Sequence, residues 1–328
     1  MLKFIIKRIL LSLLILIGVS IIIYTLIRLM PTDYVENMMQ GKLLSGDVTM
    51  AQIEAMKELY GLNGSVITGY WNWLMQLLQG NLGHSFVYGK PVADVIGSQM
   101  WISFTLASIA LIFQVIISIP LGIVSATKQY GALDYNVTVF AMMGISLPSF
   151  FFAALLMRVF SLGLGWFPLQ GLTDATVVFA VGDTWGPFID KMMHLVLPIT
   201  VLVVLSIGGL MRYTRTNMLE VLNADYIRTA RAKGLSEHTV TYKHAFRNTM
   251  IPLVTMLGGT IPGLFGGAMI TETVFAIPGI GQIAYKAVIL GDVPFIMGYN
   301  MFLAVLTVIG TIIADLLYVV VDPRVRLE

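Results

Sequence analysis

The stretch LLSLLILIGVSIIIYTLIRLM, residues 10–30, carries one charge, Arg28 near its end, and it decides what kind of molecule this is. Read as a span over residues 9–30, it reaches about 33 Å as an α-helix, against a bilayer hydrocarbon core of about 30 Å. Working outward, five further stretches qualify, over residues 102–125, 136–163, 194–212, 251–275 and 295–321. The run Thr176–Val181 is too short to cross and belongs to a loop. Composition agrees: 57% of the 328 residues are apolar and 12% charged, with mean hydropathy +0.84, where soluble domains carry about 25% charge. The expected fold is an all-α integral membrane protein of about six transmembrane helices.

The first stretch resembles a signal peptide in its leading Lys3, Lys7 and Arg8, but it is too long for an h-region. It ends at Leu29-Met30-Pro31 without a small-residue cleavage site, so an uncleaved span is expected. Basic residues then set orientation. Lys3, Lys7, Arg8, Lys128, Arg215, Arg228, Arg231, Lys233, Lys243, Arg247, Arg324 and Arg326 fall on the side of the N-terminus, and only Lys42, Lys57, Lys90, Lys191 and Lys286 on the other. Both termini are therefore expected in the cytoplasm, with the chain multi-pass in the cell membrane. The organisation follows: residues 1–30, N-terminus and first helix; 31–101, an extracytoplasmic loop subdomain; 95–321, the transmembrane domain, including a cytoplasmic loop over 213–250; and 322–328, a cytoplasmic tail. No internal repeat or low-complexity tract occurs.

Pro120, Pro148, Pro198 and Pro262 are expected to interrupt four spans. The fifth is the richest in small residues: Gly258, Gly259, Pro262, Gly263, Gly266 and Gly267 suit either close helix packing or the lining of a pathway, and the two are compatible. In the outer loop, Thr49 and Gln52 match a capping box, Ala51–Tyr60 suits a helix and Gly61 a stop. Tyr70, Trp71, Trp73, Leu74, Leu77 and Leu78 then form an aromatic amphipathic stretch, fit for the membrane interface or for docking an external partner.

The loop 213–250 carries Tyr226-Ile227-Arg228-Thr229-Ala230-Arg231-Ala232-Lys233-Gly234-Leu235, about two helical turns of basic and small residues. Gly234 fits a C-cap, and Ser236 can cap a second helix. Such a short helix at the bilayer surface could transmit force to a soluble partner; it could equally be a basic loop that only fixes topology. There is no cysteine, and His84, His194, His238 and His244 lack metal spacing. Metal sites in this chain are not expected. A charge of +2 gives no reason to invoke nucleic acid. An ion-coupled secondary transporter would call for buried carboxylates and inverted repeats; Asp315 and Glu272 are the only candidates. Glu272 is expected to tie together the chain's return into the last span. No nucleophile and base pair up as an intramembrane hydrolase requires.

Several motifs then fall in order. Tyr226–Leu235 followed by His244-Ala245-Phe246-Arg247-Asn248 is similar to the cytoplasmic signature of binding-protein-dependent ABC importer permeases, in the form of the oligopeptide, dipeptide and nickel branch. Arg228-Thr229-Ala230 stands where the general family has Glu-Ala-Ala, with Gly234 in register. Gly83-His84-Ser85-Phe86 with Tyr88-Gly89-Lys90-Pro91-Val92, Leu147-Pro148-Ser149-Phe150, Gly165-Trp166-Phe167-Pro168, Glu272-Thr273-Val274-Phe275 with Pro278-Gly279-Ile280-Gly281, and Asp322-Pro323-Arg324-Val325-Arg326 resemble the same branch. The resemblance covers nearly the whole chain. The long outer loop after the first span is similar to the first of the branch's two paired permeases.

The resemblance implies a type I ABC importer permease fold. It implies a second homologous permease, two cytoplasmic ATPase subunits holding ATP and Mg, and an external solute-binding protein; this chain, lacking a Gly-x4-Gly-Lys-Ser/Thr loop, would hold no cofactor and catalyse nothing. Tyr226–Leu235 would be the ATPase-coupling helix. The cargo would be peptides, with dipeptides, nickel or another small solute as alternatives.

Overall fold

The computed structural model describes residues 2–29, 49–51, 54, 65–174, 176–180 and 183–321. The expectations placed on Gln52, on residues 55–61 and on the tail 322–326 lie outside those residues. Among the described residues the regular structure is helical: α1 Leu2–Arg28, α2 Val66–Leu78, α3 Val92–Thr127, α4 Ala132–Ser146, α5 Ser149–Leu156, α6 Trp185–Leu222, α7 Asp225–Ala232, α8 Arg247–Gly258, α9 Ile261–Phe265, α10 Met269–Val274, α11 Ile280–Leu290 and α12 Val293–Val321. A π-helical segment, Met157–Gly163, continues α5, and another, Thr239–Phe246, runs into α8.

Among the described residues, four helices are long and apolar enough to cross a bilayer: α1, α3, α6 and α12. Two bent pairs, residues 132–163 with a 102° bend and residues 239–274 with a 40° bend, bring the number to six if each pair is one span. Of the four prolines expected to interrupt spans, two do. Leu147 is extended, the conformation favoured before proline, with φ −79° and ψ 130°, and Pro148 opens α5 across the bend. Pro262 occupies the first turn of α9, where its missing N–H costs nothing. Pro120 and Pro198 instead lie inside the unbroken α3 and α6. One absent hydrogen bond in a helix of 36 or 38 residues is outweighed by its packing.

The chain divides into two compact units, residues up to Gln99 with Ile283–Ile309, and Met100–Gln282 with the residues from Gly310 onward. In the first, α1 presents Leu13, Leu14, Ile21 and Ile22 outward. Its polar side is short: Ser20 shares a hydrogen bond with Tyr70 (2.8 Å), and Tyr24, 1% exposed, packs on Tyr70 and Trp73 of α2 at 5.7 and 5.8 Å. The aromatic stretch of the outer loop is thus divided. Tyr70 and Trp73 hold α2 to α1, while Trp71 and Leu78 stay exposed.

The motif at 83–92 in the same unit wraps a carboxylate. Ser85 Oγ donates to Asp292, the Phe86 and Val87 amides donate to it at 3.0 Å each, and Phe295 N at 3.3 Å. Ser85 N bonds Lys90 O, and Val92 N bonds Gly83 O, closing the loop on itself. Burial, and then the Asp292 carboxylate, push the Tyr88 hydroxyl above its ordinary value. Asp292 is wholly buried, and a buried carboxylate is tolerable only when its lone pairs are taken up in this way.

In the second unit, α4 and α6 cross at small residues. A Cβ on Gly144 would come 2.5 Å from Val204 O, and one on Gly208 would come 2.5 Å from Ala141 O. No larger residue fits at either point, which is how helices in lipid gain dispersion contact without a hydrophobic drive between them. Leu106, Ala153, Leu156, Leu195, Val201, Phe275 and Ile277 form one buried cluster joining α3, α5, α6 and the turn after α10.

Candidate functional site

The segment that sequence singles out lies between α6 and the second π-helical segment. Asn223 and Ala224 alone separate α6 from α7. Within α7, Ile227 and Ala230, three apart and so on one face, are buried; they join Ile123 and Ala126 of α3, Met218 of α6, and Val240 and Ala245. The remaining residues of the ten, Tyr226, Arg228, Thr229, Arg231, Ala232, Lys233, Gly234 and Leu235, are exposed. Two small apolar anchors therefore hold a helix whose outer face is basic.

Its ending is built as the sequence suggests. Gly234 has φ +75°, its N–H bonds Arg231 O at 2.9 Å, and Leu235 N bonds Ala230 O at 3.4 Å. This is the Schellman arrangement, which needs a left-handed residue. Ser236 then caps the next turn: its carbonyl accepts from Val240 N at 3.0 Å and its hydroxyl from Thr239 N at 3.4 Å. Arg231 lays both nitrogens on Glu237, Nε to Oε1 at 2.9 Å and Nη2 to Oε2 at 3.3 Å, and so braces the Gly234 turn. Arg228 reaches Asp225 only at 3.6 Å with both side chains in solvent, a weak pair. Partial burial pushes the Tyr226 hydroxyl above its ordinary value, against an opposing bond from Asn248.

The six small residues proposed for a pathway are not one surface. Gly258 is buried at the end of α8, and Gly259 and Gly263 are exposed. Pro262 lies against Gly310, where no Cβ fits. Gly266 and Gly267 are half-buried; Gly267, at φ +78°, leaves no room for a Cβ beside the Gly281 backbone.

Glu272 is fully buried and accepts from Ser103 Oγ (2.7 Å), Ala268 N (2.9 Å) and Gln282 N (3.0 Å). Ser103 Oγ in turn accepts from Ile280 N at 2.9 Å. Gly279 and Gly281 are needed here, because a Cβ on either would come within 2.5 and 2.9 Å of Glu272 Oε2. The carboxylate thus knots the chain after α10, as expected. His194 is buried in α6 and bonds the Asp190 carbonyl, with its carboxylate 3.3 Å away.

Sequence reasoning passed over two buried carboxylates, Asp292 and Asp134. Each opens or precedes a helix, at Gly291-Asp292-Val293-Pro294 and Gly131-Ala132-Leu133-Asp134, and that placement was the available signal.

Apolar helices of bilayer length, close glycine crossings and a small anchored basic helix outside them define a polytopic membrane protein of the transporter-permease class. The family described as binding-protein-dependent transport system inner membrane component matches residues 118–327, and its N-terminal companion matches residues 1–107. The chain belongs to that family. It is 39% identical over 327 residues to the oligopeptide transport system permease protein AppB of Bacillus subtilis, covering 99% of this chain and 100% of that one. It is 33% identical over 341 residues to the dipeptide transport system permease protein DppB of Alkalihalophilus pseudofirmus, with 99% and 100% covered. Among solved structures, the MetNI methionine ABC transporter in inward facing conformations is similar in fold, with TM-score 0.52 and 18% identity over 71% of this chain and 97% of that one.

Proposed function

We propose that this chain is the membrane-spanning permease subunit of an ATP-driven importer, forming half of a translocation pathway for peptides handed over by an external binding protein. The observation that carries the reading is α7: a helix held from one side by Ile227 and Ala230, with Tyr226, Arg228, Arg231 and Lys233 facing outward. A mobile basic loop would serve topology; a capped, anchored helix can receive a push. The partners are a second homologous permease and two cytoplasmic ATPase subunits, which hold ATP and Mg, with α7 seated on one of them. Both termini are cytoplasmic. Among the small residues of the fifth span, Gly259 and Gly263 are exposed and would face a pathway, while Gly258 is buried and Pro262, Gly266 and Gly267 are half-buried.

The mechanism is alternating access. ATP binding closes the ATPase pair, the two coupling helices approach, and the bundles rock to open the pathway outward; hydrolysis resets it. Peptide is favoured as cargo by the names of the relatives, one an oligopeptide and another a dipeptide permease.

The test is reconstitution in proteoliposomes with the neighbouring permease, ATPases and binding protein. Uptake of labelled peptide is expected only with ATP, binding protein and all four membrane-associated subunits. Peptide movement by this chain alone, without ATP, would overturn the assignment. A cysteine introduced at position 2 is expected to resist an impermeant reagent added outside intact cells.

A further inference from the structure

We propose that Asp134 and Arg215 are positioning residues that make α7 move as one body with the α3–α4 corner and α6, so that a push on α7 becomes rotation of helices rather than local slippage. The inference rests on the permease reading above. It concerns how force leaves the coupling helix.

Asp134, in the first turn of α4, is 4% exposed. Its two oxygens face the fork of Arg215 on α6, Oδ1 to Nε at 3.0 Å and Oδ2 to Nη2 at 2.9 Å. Ser125 Oγ near the end of α3 donates to the same carboxylate, as do Tyr130 N at 3.0 Å and, more weakly, Thr138 Oγ1 at 3.4 Å. One carboxylate therefore ties together α3, the turn 128–131, α4 and α6. Tyr130 takes a left-handed φ of 61° to point its N–H inward, a conformation unusual outside glycine.

The neighbouring contacts place this clamp in line with α7. One turn before Ser125, a Cβ on Gly122 would come 2.6 Å from Thr214 Cβ, so α3 and α6 touch beside Arg215. One turn after Arg215, Met218 is fully buried in the same cluster as Ile227 and Ala230. Force applied to α7 passes through that cluster into α6 within two turns of the clamp. Apolar contacts are non-directional and let surfaces slide. A bidentate guanidinium–carboxylate pair has fixed geometry and resists shear, and Lys could not replace its fork.

A merely structural ion pair would be expendable in a particular way. Replacing an ion pair with apolar residues of similar volume is commonly neutral or stabilising; Asp134→Leu with Arg215→Met also strands the Ser125 hydroxyl and the Tyr130 amide, so it is expected to lower stability while the complexes that assemble hydrolyse ATP near wild type. What the double variant lacks is directional linkage.

The experiment measures labelled peptide imported per ATP hydrolysed, in the reconstituted full transporter with its binding protein. The double variant is expected to hydrolyse ATP within about twofold of wild type and to import about tenfold less per ATP, within the range that coupling residues contribute. Arg215→Lys, which keeps the charge and loses the fork, is expected to fall between them, and it decides the matter on the same ratio where the double variant does not assemble. Import per ATP equal to wild type overturns this inference alone. A wild-type complex that hydrolyses ATP without importing peptide sinks the permease reading, and this inference with it.

Discussion

Replacing Glu272 by alanine strips one acceptor group from three buried donors: the Ser103 hydroxyl and the Ala268 and Gln282 amides. A buried donor left without a partner costs about 1–3 kcal/mol. Taking the low end for each, because the vacated space can admit water, gives about 3 kcal/mol for Glu272→Ala. Glu272→Gln retains the oxygen facing Ser103 and Ala268 but sets an amide N–H against the Gln282 N–H, so the loss is about one bond, roughly 1–2 kcal/mol. Unfolding of the purified chain in detergent, followed by tryptophan fluorescence against denaturant, should rank wild type above Gln and Gln above Ala. A second arm is more specific. Gly279→Ala alone brings its Cβ to 2.5 Å from Glu272 Oε2 and 2.6 Å from Ser103 Oγ, and the first of these clashes disappears once the carboxylate is gone. The double variant Glu272→Ala/Gly279→Ala should therefore be less damaged than the two single losses added together. Glu272→Ala as stable as wild type, or strict additivity in the double variant, would refute the picture of a knot centred on this carboxylate.

Gly234→Asn should cost well under 1 kcal/mol, since asparagine tolerates the left-handed region, whereas Gly234→Trp, whose Cβ meets open space in this chain, should still insert yet fail to retain the ATPases on co-purification. Normal retention there removes α7 from the coupling surface. Ile227→Ala, at a fully buried position, should cost about 2–4 kcal/mol in the same unfolding assay, while Arg228→Glu on the exposed face should leave stability alone and weaken ATPase association. Asp292→Ala should release the 83–92 loop, read as new protease cleavage within it in detergent-solubilised protein.

The legible part of the fold was its greasy part. Residues 10–30 announce a span by composition, and Leu147-Pro148 announces a break because a residue before proline is disfavoured in the helical region, a bias that packing overrides before Pro120 and Pro198. Gly234 was legible for the same local reason, a cap that needs positive φ. Hydropathy was a poor guide to length: α3 and α6 run to 36 and 38 residues because Val92–Trp101, Trp185–Met193 and Tyr213–Leu222 continue the helix in mixed sequence that a hydropathy window discards. Pairings were the illegible part. Glu272 and Ser103 lie 169 positions apart, Ser85 and Asp292 lie 207 apart, and Arg215 and Asp134 lie 81 apart. A lone acidic residue beside a glycine looks like an ordinary turn until its partners arrive from elsewhere. The motifs at 83–92 and 272–281, read only as resemblances, acquire a physical reason here: each is the backbone that closes over a buried carboxylate.

The meeting of Gly310 with Pro262 constrains the order in which this protein can change. A methyl group at position 310 would fall on the proline ring, so Gly310→Ala is harmful while the ring is present. Pro262→Ala removes most of that ring and, at the first turn of α9, leaves an N–H that the helix start does not require to be bonded. The same alanine at 310 is then tolerable. A lineage can reach the double change through 262 first but not through 310 first, and the effect of one substitution reverses with the history of the other.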